Sequence, residues 1–230
     1  MIPIKKIELA KAEIKSKCKV CKDKPRAECY GCIRWEGFIN RMAAAEIPID
    51  YWFRSMKNFY GHDGLKIPTL KLIENIDETY SSGYTLYIAG ERGRGKTMAS
   101  CAILKEAILK DYSAFYITLS DLVTRVTTYN PIFKIEAKSM DFLVIDEIDN
   151  RFFPTENSME LYGSQLENVL RGRMQNRLPT IMCSNAVDIG LVFGGQFKKS
   201  FQSLWAQFVK TISVGGPDAR KGEEKLNGKS

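Results

Sequence analysis

From Thr85 onward, short apolar runs at 85–89, 114–119, 142–145 and 180–183 alternate with longer stretches of helical period. Runs of this length without polar alternation are what strands buried on both faces look like. Their alternation with helical segments predicts a parallel sheet with crossover helices. The helices are expected to begin near Gly95, Ser120 and Thr155, followed by a further helix over 197–209 and a last strand over 211–214. Beyond Gly215 a Gly, Pro, Lys and Glu mixture lacks apolar periodicity, which predicts a disordered tail over 215–230.

Upstream the rhythm differs. Residues 1–17 set Ile2, Ile4, Ile7, Leu9 and Ile14 among lysines, a pattern for one short amphipathic helix. A second helical pattern over 33–45 carries Trp35, Phe38, Ile39 and Met42, and Ile47-Pro48 ends it because the residue before proline avoids the α region. Residues 49–83 hold an aromatic patch of Tyr51, Trp52, Phe53, Phe59 and Tyr60. A helical stretch through Leu70, Leu72, Ile73 and Ile76 follows and stops at Ser81-Ser82-Gly83. The expected organisation is an N-terminal module over 1–45, an α/β domain over 46–214 and the tail.

The chemistry sits where the apolar runs end. Gly90-Glu91-Arg92-Gly93-Arg94-Gly95-Lys96-Thr97 fits G-x-x-x-x-G-K-[ST], directly after the first strand and before a helix. Gly90, Gly93 and Gly95 let backbone N–H groups wrap phosphates, and the helix N-terminus adds positive potential. Lys96 can reach the terminal phosphates and Thr97 can join a magnesium shell. The run 142–145 ends in Asp146-Glu147: Asp146 can hold magnesium, and Glu147 can polarise an attacking water. The run 180–183 ends in Ser184-Asn185, and Asn185 is either a turn residue or a side chain whose amide donor orients the water. ATP and Mg2+ are the expected ligands.

Cys18-x2-Cys21-x7-Cys29-x2-Cys32 supplies two C-x-x-C knuckles, the spacing of one tetrahedral zinc held by four thiolates. So short a module cannot fold on apolar burial alone, which favours a structural metal. An iron–sulfur site and unligated thiols are the competing readings. Cys101 and Cys183 stand inside apolar segments and read as buried hydrophobes.

With 44% hydrophobic and 27% charged residues the composition is globular, and the net charge of +7 favours phosphate-rich partners. No secretory pattern or apolar run of membrane-spanning length occurs, so a cytoplasmic protein with no membrane partner is expected. Basic residues outnumber acidic ones over 1–60, and Trp35, Tyr51, Trp52 and Phe53 could stack on single-stranded bases. Packing against the core or covering an adenine is the stronger expectation for them. His62 reads as a loop residue.

The order of parts is the cysteine module, the Ala45-Glu46-Ile47-Pro48 lead-in, Gly90 to Thr97, the Ser120-Asp121-Leu122 helix start, Asp146-Glu147 and Ser184-Asn185. It resembles bacterial and phage replicative-helicase loaders of the DnaC/DnaI type, most closely over 45–186. The resemblance implies an AAA+ P-loop, three-layer α/β fold and an ATPase that self-associates through this domain around single-stranded DNA. It also implies that the zinc module grips a replicative ring helicase. Lys96 and Thr97 look like the first nucleotide motif, Asp146 and Glu147 the second, and Asn185 the first sensor. Two departures stand out: no Arg occurs between Arg177 and Arg220, where such families keep an arginine that reaches the neighbouring subunit, and no large helical lid follows the sheet. Lys199, then Lys198, fall about where that arginine would be, with Arg171 and Arg173 the next candidates. Two other functions share the core: a transposition regulator of the IstB/TnsC type acting on duplex DNA, and an adaptor that holds ATP with little hydrolysis.

Overall fold

The computed structural model describes residues 2–18, 29–59, 61–128, 131–155, 158–193, 195–216 and 218–219. Five strands, β1 (Thr85–Gly90), β2 (Ala114–Thr118), β3 (Phe142–Ile148), β4 (Thr180–Ser184) and β5 (Val209–Val214), form one parallel sheet in the order β2-β3-β4-β1-β5. The sheet expected from the apolar runs is therefore present. After β1 the chain crosses to the far edge and works back through β3 and β4, and only β5 lies on the other side. The carboxyl ends of β1, β3 and β4 are thus neighbours at the point where strand order reverses, the usual place for a ligand crevice.

Side chains alternate across the strands, so each strand feeds two cores. Leu86, Ile88, Val144 and Cys183 face a cluster with α5 (Lys96–Leu109), while Tyr87, Ala89, Ile145 and Met182 face a second cluster. That second layer contains α6 (Leu119–Thr127), α7 (Pro131–Ser139), α8 (Met159–Gln175) and α9 (Gly195–Phe208). Helices on both faces of a parallel sheet make the three-layer α/β arrangement. Helix α7 has no counterpart in the sequence reading, and α8 begins at Met159 rather than near Thr155. Ser158, just before that helix, donates its N–H to Thr155 O at 3.0 Å, and the two hydroxyls pair at 2.8 Å.

The N-terminal helices α1 (Ile4–Ser16) and α2 (Tyr30–Ala44) pack on the first layer. Ala10, Phe38, Ile39 and Met42 belong to the same buried cluster as Ile103 and Ala107 of α5, so the apolar core is continuous across residue 45. Tyr116 N–H donates to Ala45 O at 2.8 Å, and Arg125 pairs with Glu46 at 2.6 Å. Helices α3 (Asp63–Glu74) and α4 (Ile76–Ser82) complete this layer. His62, expected in a loop, caps α3 by accepting from Gly64 N–H at 3.0 Å. Among the described residues, no helix is long and apolar enough to cross a membrane.

Candidate nucleotide and metal sites

The phosphate loop leaves β1 through backbone that only glycine adopts readily. Gly95 has φ +82°, and a Cβ there would fall 2.3 Å from the ring of Phe59. Helix α5 begins at Lys96 without a side-chain cap, leaving its first N–H groups available to an anion. Lys96 is 9% exposed, and its ammonium donates to Gly90 O at 2.6 Å, Glu91 O at 2.8 Å and Asn185 Oδ1 at 2.9 Å. All three partners are neutral, and burial lowers its pKa. A buried ammonium held by neutral oxygens beside an open helix N-terminus fits an incoming phosphate chain.

Thr97 Oγ1 donates to Asp146 Oδ2 at 2.7 Å, and the Tyr116 hydroxyl donates to the same oxygen at 2.9 Å. Adjacent residues of a regular strand point to opposite faces, yet Asp146 and Glu147 both line the pocket. The cause is local. Glu147 takes φ +55°, and the register between β3 and β4 shifts between Ile145 and Ile148, so a bulge turns Glu147 back toward the site. Such backbone costs about 1–3 kcal/mol in a non-glycine residue, which marks the position as held by its surroundings. Burial raises the Glu147 pKa, with Asp146 and Asp121 adding to the rise and Arg92 opposing it.

These groups line a cavity of ≈ 470 Å³ whose walls also include Tyr51, Arg54, Phe59, Arg92, Phe152 and Ala219. Lys105 of α5 fixes the 51–54 wall by donating to Tyr51 O at 2.7 Å and to Arg54 O. The tail expected to be disordered is described as far as 219, apart from Pro217. Ala219 N–H donates to Gly93 O at 2.8 Å, against the phosphate loop.

At the other end of the N-terminal module, the thiols of Cys18, Cys29 and Cys32 all lie within 4.8 Å of one another, buried, with the first two sulfurs 3.9 Å apart. Thiolates about 2.3 Å from a tetrahedral ion stand roughly 3.8 Å apart, so the cluster fits zinc. Cys21, the fourth expected ligand, lies outside the described residues.

No curated protein matches the sequence. Residues 86–190 match the family described as "ATPase family associated with various cellular activities (AAA)". Over those residues the chain is similar to the AAA ATPases. Among solved structures, DnaI is similar at TM-score 0.59 and 20% identity, over 75% of this chain and 94% of that one. The DnaC helicase loader is similar at 0.60 and 16%, over 73% and 99%. A replication initiator, DnaA bound to AMPPCP and single-stranded DNA, is similar at 0.58 and 18%, over 79% and 56%.

The sequence candidates divide. Lys96, Thr97, Asp146, Glu147 and Asn185 converge on the one cavity. Lys199 is exposed on α9 and does not line it, while the Lys198 side chain lies outside the described residues. Arg171 is exposed and tied to Glu167 and Ser200. Arg173 is overturned as an interface residue. It is 0% exposed, and its guanidinium donates to Thr180 Oγ1, Ala137 O, Met140 O, Asp141 O and Pro179 O. Trp52, offered as a stacking surface, is 3% exposed and donates from its indole to Ile47 O at 2.7 Å, so it packs the core. The sequence reading missed Asp149, which accepts from Asn185 Nδ2 at 2.8 Å. It also missed Arg92, which lines the cavity 5.9 Å from the Phe152 ring centroid. Asp149 occupies no motif position, and its involvement follows from the bulge that precedes it.

Proposed function

We propose that the chain is an ATP-hydrolysing helicase loader: it binds ATP in the AAA domain, self-associates there around single-stranded DNA, and delivers a replicative ring helicase held by residues 1–45. The observation that carries the ATPase part is the buried Lys96 ammonium on three neutral oxygens at the uncapped start of α5. Lys96 would hold the terminal phosphates, and Thr97 and Asp146 would hold the Mg2+ that accompanies ATP. Glu147 orients the attacking water and accepts its proton, from a carboxylate that burial has made a better base. Lys199, exposed and absent from the lining of its own subunit's cavity, would supply the cation to a neighbour's. As a point charge rather than a planar fork it would support slow turnover that depends on assembly.

The loading part is supported by the fold likeness to DnaI and the DnaC helicase loader across nearly their full lengths. The cysteine cluster beside an exposed Trp35 adds a surface for a partner. Zinc at Cys18, Cys21, Cys29 and Cys32 would fix that surface without taking part in hydrolysis. The test is co-purification with a bacterial replicative ring helicase. A complex that forms with ATP, requires residues 1–45, and raises turnover on single-stranded DNA is the expected result. ATP-dependent filaments on duplex DNA with no helicase binding would point instead to a transposition regulator.

A further inference from the structure

Asn185 lies between two charged groups of opposite hydrogen-bonding capacity. On one side the Lys96 ammonium, which can only donate, meets Asn185 Oδ1 at 2.9 Å. On the other side Asp149 Oδ2 receives Asn185 Nδ2 at 2.8 Å. Asp149 is 7% exposed, and its carboxylate also accepts from Arg151 Nε at 2.8 and 3.0 Å and from Arg151 N–H at 3.1 Å. The Arg151 guanidinium, with Asn185 assisting, holds the Asp149 carboxyl below the usual carboxylate range. An ionised carboxylate accepts only, so the amide has one orientation, with its oxygen toward the phosphate loop.

We propose that Asp149 is a positioning residue that fixes the Asn185 side chain with its carbonyl oxygen, not its amide nitrogen, facing the nucleotide pocket. Asp149 has this role if the pocket hydrolyses ATP, as proposed above. In the structure Lys96 and Asp149 enforce the orientation together. When phosphates take the Lys96 ammonium, Asp149 alone keeps it. Asn185 Oδ1, released from Lys96, then accepts a hydrogen bond from the attacking water, while Glu147 takes the proton the water loses as its oxygen bonds to the γ-phosphorus and the bond from that phosphorus to the bridging oxygen breaks, releasing ADP. The amide donor expected to orient the water from the sequence is committed to Asp149.

The experiment compares steady-state ATPase kinetics and ATP affinity of wild type, Asp149→Asn, Asn185→Ala, the double variant and Arg151→Ala. Asp149→Asn should lower kcat about tenfold, the scale of one hydrogen bond to a charged group, with ATP affinity within about threefold of wild type. Because Asp149 acts through Asn185, the double variant should be no slower than Asn185→Ala alone. Arg151→Ala, which removes an exposed partner of Asp149, should stay within about threefold of wild type. Losses that multiply in the double variant, an Arg151→Ala protein as slow as Asp149→Asn, or Asp149→Asn at the wild-type rate would each overturn the role. Asp149→Ser, a smaller acceptor, is read by the same comparison if Asn is not accommodated beside Arg151. Wild-type protein that neither binds nor hydrolyses ATP would defeat the ATPase reading itself, whereas normal wild-type turnover with an indifferent Asp149→Asn defeats only this role.

Discussion

The two ends of the sheet each hold a buried cation on neutral oxygens, and they use it in opposite ways. At the amino ends of β3 and β4, Arg173 is sealed at 0% exposure, with its fork spent on Thr180, Ala137, Met140, Asp141 and Pro179. At the carboxyl ends of β1 and β4, Lys96 has a similar set of oxygens but borders a cavity of ≈ 470 Å³. A rigid planar donor closed in by five acceptors locks α7 to the strands. A single flexible ammonium on three acceptors can exchange them for a better anion. Access and geometry, not charge or burial, separate a clamp from a binding group.

Arg173→Ala should have the largest effect on stability, because it strands several buried carbonyls at once. A loss of about 3–5 kcal/mol in denaturant unfolding is expected, and Arg173→Lys should recover little of it, since one ammonium cannot replace the fork. A variant that unfolds like wild type would mean that the amino end is not clamped in this way.

At the other end, Glu147→Gln should leave unfolding nearly unchanged and lower turnover by about 10²–10³, the range for loss of a general base. Phosphate release under single-turnover conditions measures it, and retained turnover would place the base elsewhere. The smallest effect concerns pH. As the proposed base, Glu147 would work as the carboxylate, and its pKa is raised by burial, then by Asp146 and Asp121. Turnover should therefore fall, as pH drops, earlier than an ordinary glutamate would allow. Arg92→Ala removes the opposing charge and should move that acid limb to higher pH. A limb that moves down, or not at all, would dissociate Arg92 from Glu147.

Much of the carboxyl end was legible because each strand there is an apolar run that stops at a polar residue. Gly90, Asp146 and Asn185 mark those stops, and parallel pairing brings them together. Asp149 was not legible, since its approach to Asn185 depends on the bulge and the positive φ of Glu147. Arg173 misled because a helix presents every side chain to something, and only packing decides whether that is solvent or Pro179. Helix α7 was missed because it is short and opens on Pro131, although proline at a first helical position starts a helix readily. In the N-terminal region the cysteine spacing announced a cluster, but not that α2 shares its core with α5.

The claim that Lys96 is a cation awaiting phosphate is tested most directly by calorimetric titration of ATP with magnesium into wild-type and Lys96→Ala protein. Truncating one partner of a buried charged contact costs about 2 kcal/mol or more, so the variant should bind ATP at least roughly 30-fold more weakly while melting at nearly the wild-type temperature. Equal affinity in the two proteins would contradict the account.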